Sequence, residues 1–327
     1  MNMTLLKFLK LLFVGFIAFG ATASAADSQA YPTRSVTLVV PYSAGTATDT
    51  LARVLADKLA AAWGQPIVVR NQPGANGTIA TAGVARAEPD GYTLIMIAAN
   101  HVINTSLYEN LPYDDLKDFR AIARIANAAF VLCVNPSMPV KTVAELVDFS
   151  KRRPGELNYS SPGNGSPGHL GMEMLKRISG ADLTHIAYKG AAQATADLIG
   201  GQVQAGYVVE SSAIPQIGTG KLRALAISSK TRSAKVPEVP TIAEAGYSDG
   251  DFVSWIGIAA PAQVPPAIVE KISADMIKIV NNPEVRDRIV DIGLTPFAAP
   301  AGEFEAYMKS EHQKWATVVK NSGATLK

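Results

Sequence analysis

Val36-Thr37-Leu38-Val39-Val40-Pro41-Tyr42-Ser43-Ala44-Gly45-Thr46-Ala47-Thr48-Asp49 changes its periodicity partway along. The run Val36–Val40 is β-branched and apolar, as a buried strand requires. From Thr48 to Ala62, Leu51, Val54, Leu55 and Leu59 recur at helical spacing. Between them lies a short loop rich in hydroxyls. The pattern then repeats. Ile67–Arg70 reads as a second strand, Gly77–Ala87 as a small-residue helix, Glu88-Pro89-Asp90-Gly91 as a turn and Tyr92–Ala98 as a third strand. This βαβαβ order predicts a parallel sheet with helices on both faces.

A second series of the same kind follows. Phe130–Val134, Leu157–Ser160, Thr184–Ala187, Val203–Val208 and Ala224–Ile227 read as strands. Helices are expected over Thr142–Lys151, with Thr142 and Glu145 as a capping box, and over His169–Ser179 and Ala191–Ile199. Trp255–Ala259 reads as a further strand. Two C-terminal helices, Pro266–Asn281 and Gly302–Asn321, complete the chain. Two βα series without a flexible linker predict two α/β domains with a cleft between them, and a length of 327 residues suffices for both cores.

The N-terminus has a different character. Lys7 and Lys10 precede an apolar stretch, Leu11–Phe19, and Ala23-Ser24-Ala25 closes it. This is the layout of a secretory signal peptide over residues 1–25, which places the working protein in the periplasm. The whole chain carries a formal charge of +2, and the leader holds two lysines and no acid. The remainder is therefore neutral, without the basic patch that nucleic-acid binding needs. The single cysteine, Cys133, lies in the apolar run Phe130–Val134 and reads as a buried hydrophobe. The four histidines are scattered and show no metal-ligand spacing, so neither a metal nor a cofactor is expected.

The chemistry is expected in the loops that follow strands, where helix N-termini offer free N–H groups to anions. Ser43, Ala44, Gly45, Thr46, Ala47 and Thr48 form the first such loop; Asp49 fits better as a helix-stabilising acid than as a contact to an anion. Asn71–Gly77 has the residues of a turn. Asn100 and His101 follow the third strand. Ser161, Gly163, Asn164, Ser166 and His169 form the most pointed loop. Its glycines spell G-x-G-x-x-G, but the acid that would hold a ribose is missing about 20 residues on. A nucleophile elbow also fails, because Asn164 stands where its first glycine belongs. Tyr188 and Lys189 end another strand, and Lys189 would bring a full positive charge.

Taken in order, these pieces resemble the substrate-binding receptors of the tripartite tricarboxylate transporter system, the Bug family. The resemblance rests on Tyr31-Pro32, Pro41–Gly45 with Asp49, Asn71–Gly77, Pro89–Leu94, Tyr159–Leu170, Tyr188-Lys189-Gly190, Gly200–Val203, Gly220–Ala226 and Val239–Gly246. It implies a type II periplasmic binding fold, with domain 1 made of residues 26–129 and 255–327 and domain 2 inserted as 130–254. It also implies a non-catalytic, monomeric receptor that hands a small carboxylate to integral-membrane transporter subunits. Two departures stand out. Thr46 replaces the second glycine of the family's first loop, and Val209 stands where many relatives carry an aspartate, with Glu210 one step on. An apolar Val209 disfavours an amino-acid ligand and suits an aromatic dicarboxylate such as terephthalate, or an aliphatic di- or tricarboxylate. A ligand-presenting receptor for a sensor kinase and an exported α/β enzyme are the alternatives at this point.

Overall fold

A computed structural model describes residues 31–326. The signal-peptide reading of residues 1–25 lies outside them. The first lobe opens with β1 (Val36–Val40), α1 (Ala47–Trp63), β2 (Ile67–Asn71), α2 (Thr78–Ala85), β3 (Thr93–Ala98), α3 (Asn100–Leu107) and β4 (Phe119–Ala128). The chain then enters the second lobe: β5 (Phe130–Val134), α4 (Val143–Arg152), β6 (Asn158–Ser161), α5 (Pro167–Ser179), β7 (Thr184–Ala187), α6 (Ala191–Ile199), β8 (Ala205–Val209), α7 (Glu210–Gly218) and β9 (Arg223–Ile227). It returns through β10 (Ser254–Pro261), α8 (Pro266–Val280), α9 (Pro283–Asp291), β11 (Thr295–Pro300) and α10 (Ala301–Ser322).

The first sheet has the order β11-β4-β10-β3-β1-β2 and the second β7-β6-β8-β5-β9. Neither is all-parallel, contrary to the expectation from the βαβ pattern. β10 runs antiparallel to β3 and β4, and β5 runs antiparallel to β8 and β9. The reason is connectivity. A chain that crosses to a second sheet and comes back must enter the first sheet in the opposite direction. The crossings lie side by side: Ser254 pairs with Ala128, and only Ala129 separates β4 from β5. Ser228 ties them together, accepting from Phe130 N through Oγ at 2.9 Å and from Phe252 N through its carbonyl at 2.8 Å.

This topology positions the site. β1, β2, β3 and β4 all run in one direction, so their carboxyl ends share one edge, and that edge faces the second lobe. β6, β7 and β8 end beside the start of β5, so their carboxyl ends face the first lobe. The cores support the arrangement. One apolar cluster fills the space between the first sheet and α1, α8 and α9. Another runs continuously from α2, α3 and α10 of the first lobe into α4 and α5 of the second. Phe252, at the return crossing, stands edge-on to Trp315 of α10 at 6.2 Å between ring centroids and packs on Gly171 of α5. Cys133 is fully buried, and burial pushes its thiol up to about 12, so it is inert at neutral pH.

Candidate functional site

The loop after β1 is organised by Asp49. Its carboxylate accepts from Gly45 N (2.8 Å), Asn71 Nδ2 (2.8 Å), Arg53 Nε (3.1 Å) and Arg53 Nη2 (3.0 Å). Burial pushes this carboxyl up, but these partners outweigh burial and hold it below the usual carboxylate range. Asp49 is thus satisfied within the protein, as its position in the first turn suggested. Thr46 is the N-cap of α1: its Oγ1 donates to Ser43 O (2.9 Å) and accepts from Asp49 N (3.3 Å). Ala47 and Thr48 take the first two helical positions, where a backbone N–H has no intrahelical acceptor. Ser43, Ala44 and Gly45 are exposed beside them.

A chain of contacts joins this loop to the others. The Cα of Gly77 comes so close to Pro41 that an added Cβ would lie 3.3 Å from the proline Cβ. Asn76 bonds Asn100 (2.5 Å) and Asn104 (2.6 Å), which fastens the Asn71–Gly77 turn to α3. Leu107, at the end of α3, abuts Gly165 of the second lobe; a Cβ there would lie 2.1 Å from Leu107 Cδ1. Gly165 also has φ +71°, a conformation few residues other than glycine adopt. The loop after β6 therefore meets α3 at a point where no side chain fits.

Within that loop, Ser166 caps α5, with Oγ accepting from His169 N at 3.4 Å. Ser161 is buried; its Oγ accepts from Gly163 N (3.2 Å) and lies 2.6 Å from His185 Nε2. His169 and His185 stack at 3.9 Å, and Tyr159 lies beside both, at 4.9 Å from His185 and 6.4 Å from His169. The stack follows from register, since Tyr159 and His185 are paired neighbours on β6 and β7. Burial, followed by the neighbouring His185, pushes His169 down to about 4; burial also lowers His185. Gly165 N donates to His169 Nδ1 at 3.0 Å, which requires that nitrogen to be unprotonated. His169 supports the loop from beneath rather than lining it. His185, Asn76 and Asn104 belong to the same scaffold and were not anticipated from sequence.

The other expected residues fall as follows. Tyr188 N donates to Ser161 O at 3.0 Å, and Lys189 is exposed just before α6, whose cap residue Gly190 supplies no side chain. Asn164 is exposed at the tip of its loop and Gly163 is half-buried behind it. Val209 closes β8 opposite Phe130, half-buried against the cores of both lobes. His101 departs from expectation. It is 4% exposed, with Nε2 against Asp115 O (2.9 Å) and its ring edge-on to Phe119 at 4.8 Å. Its place on α3 turns it into the core, so it does not join the loops. Burial holds it neutral, down to about 4.

Three helix N-termini, α1, α5 and α6, thus open from the carboxyl ends of strands in both lobes, with the hydroxyls of Ser43, Thr48 and Ser166 among them. Such ends carry partial positive charge and unpaired donors, and they favour small anions. The one acid among these loops, Asp49, is already fully partnered.

Known proteins share this architecture. A family model for the tripartite tricarboxylate transporter family receptor matches residues 51–324. BugT of Bordetella pertussis is 35% identical over 330 residues, covering 100% of each chain. Among solved structures, an R. palustris protein with adipate is similar at TM-score 0.80 and 34% identity, covering 90% of this chain and 100% of that one. MatC from Rhodopseudomonas palustris with bound malate gives 0.74 and 32%, covering 88% and 100%. The matched family is one of receptors rather than enzymes. With a match over most of its length and over both lobes, this chain belongs to the receptor family of the tripartite tricarboxylate transporters.

Proposed function

We propose that this chain is a periplasmic receptor that captures a small carboxylate between its lobes and delivers it to integral-membrane transporter subunits. The observation that carries the proposal is that the N-termini of α1, α5 and α6 open at the strand ends by which the two lobes face each other. A carboxylate at each end of a ligand would meet one lobe each. The adipate and malate in the two relatives support this class of ligand. Residues 26–129 with 255–327 would move as one body and 130–254 as the other. The binding residues would be Ser43–Thr48, Asn100, Ser161, Gly163, Asn164, Ser166, Tyr188, Lys189 and Val209.

Val209 decides the ligand's body. It offers methyl groups where a charged side chain would otherwise meet the ligand. This favours an aromatic dicarboxylate such as terephthalate, or an aliphatic di- or tricarboxylate, over an amino acid. Calorimetric titration with terephthalate, adipate, malate, citrate and aspartate tests the reading. At least one dicarboxylate should bind tightly and be recovered unchanged, and aspartate should bind poorly. Failure of every di- and tricarboxylate would sink the proposal. Val209→Asp should weaken the preferred dicarboxylate at least tenfold, since like charges about 4–6 Å apart at a partly buried site repel by more than about 1.4 kcal/mol. An unchanged affinity would remove Val209 from the cleft.

A further inference from the structure

A cavity of about 870 Å³ is lined by both lobes and by none of the loops that open α1, α5 and α6. Its first-lobe wall comes from the end of β4, the start of β11 and α10. Its second-lobe wall comes from the start of α7 and the segment after β9. Glu210, the first residue of α7 and one step past Val209, lies in this wall. The lobes touch here as they do in front: a Cβ on Gly293 would fall 2.0 Å from Ser211 Cβ.

At the base of the cavity sits Arg124. It is 7% exposed, and its guanidinium is sandwiched between the rings of Phe297 (4.3 Å) and Tyr307 (3.8 Å). Nη2 donates to Asn127 Oδ1 at 2.5 Å, and Nε has no partner. Among the described residues no carboxylate lies within ion-pair distance of it. None of the nearby acids touches the guanidinium: Glu311 accepts from Trp315 Nε1 at 2.9 Å, Glu210 accepts from Ser233 Oγ, and Glu311 and Glu303 act on Arg124 only from a distance. A buried cation without a counter-ion is expensive unless an anion reaches it. The lining supplies a favourable field, with Lys230, Lys235 and Lys314 joining Arg124 against the carboxylates of Glu210, Asp251 and Glu311, while Arg232 is paired with Glu244 at 2.8 Å. Phe252, Ile214 and Leu294 add apolar wall.

We propose that this cavity is a second ligand site, which takes a small organic acid with a flat apolar body and seats its carboxylate on Arg124. The volume is that of a small-molecule pocket. A guanidinium held flat between two rings presents its remaining N–H edge in one plane, the geometry that recognises a carboxylate. This inference stands apart from the solute carried in the front cleft.

The test uses fluorobenzoate, followed by fluorine NMR on the purified protein, alongside calorimetric titration of the front-cleft dicarboxylate on the same samples. Arg124→Leu should weaken fluorobenzoate by about ten- to a hundredfold, the loss of one charge-assisted hydrogen-bonded contact. The double variant Lys230→Glu with Lys235→Glu changes only the rim, guards against a folding defect in the first variant and should weaken the probe severalfold. Both should leave the front-cleft affinity within about twofold. Fluorobenzoate that does not bind at roughly millimolar concentration overturns the proposal. So does binding that neither variant alters. A loss of dicarboxylate binding in the unaltered protein would instead count against the front-cleft reading.

Discussion

Asp49→Ala is expected to destabilise the protein by about 3 kcal/mol and to loosen the loop that holds Ser43, Ala44 and Gly45. Four donors converge on a carboxylate that is 2% exposed. Truncation leaves Gly45 N without an acceptor and removes one of the three side-chain bonds of Asn71, which keeps those to Tyr42 O and Arg53 Nη2, both at 3.1 Å. Arg53 is half-exposed and regains water, so the loss falls at the lower end of the range for a broken buried pair. Asp49→Asn keeps the shape but places an amide NH2 where donors already point, so it should recover less than half of the loss. Chemical denaturation of the three proteins checks this. Equal midpoints for Asp49→Ala and the unaltered protein would show that the loop stands without its central acid. Because Gly45 N is fixed only through Asp49, ligand affinity should fall together with stability.

Much of this architecture was legible in the residues. Val36–Val40, Phe130–Val134, Thr184–Ala187 and Ala191–Ile199 were readable to the residue, because each is a short run of uniform character bounded by turn residues. The missed elements have specific causes. β4 reads Phe119-Arg-Ala-Ile-Ala-Arg-Ile-Ala-Asn-Ala, alanine-rich with low intrinsic preference for a strand, and it becomes one because β10 and β11 pair on either side. α7 carries Pro215 in its interior and β11 carries Pro296 and Pro300, residues that argue against either assignment until their neighbours are known. Half of α3 is asparagine, threonine and serine, which favour caps and turns.

The site was legible to the same depth. Loop positions came from strand ends and glycines, and the loops do line one edge of each sheet. What sequence spacing could not give was the direction of a side chain. His101 and His169 both follow strands, yet one packs in the core behind α3 and the other under the Gly163–Ser166 loop. The partnership of His185 with Ser161 was recoverable in principle. Tyr159 and His185 occupy matching positions on successive strands and lie on one face once β6 and β7 are paired. Arg124 had no such signal, since its sandwich is assembled from β4, β11 and α10.

Lowering the pH from 7.5 to 5.5 is expected to remove about 2–3 kcal/mol of stability while leaving the ligand affinity of the folded protein unchanged. His101 and His169 are held neutral in the fold, each pushed down to about 4, first by burial. In the unfolded chain both titrate near pH 6.5. Between those values the unfolded state binds more protons, so stability falls as pH drops from about 6.5 towards 4 and is flat above that window. Each histidine contributes about 1 kcal/mol over the two pH units in question, and at most about 3 kcal/mol over the full window. Asp115, which burial holds above its usual value, works in the opposite sense over the carboxylate range, so the measurement stays at pH 5.5 and above. His169 adds a functional arm. Its Nδ1 stays unprotonated in the folded protein at pH 5.5, so it still accepts from Gly165 N and the loop that carries Ser166 keeps its support from below. His169→Asn offers a carbonyl oxygen near that position without the titration, so it should remove about half of the pH-dependent loss of stability while retaining affinity at both pH values. Urea melts and titrations at the two pH values test both arms. Stability that is equal at pH 5.5 and 7.5 would mean that these histidines reach water in the folded protein and are not buried neutral groups.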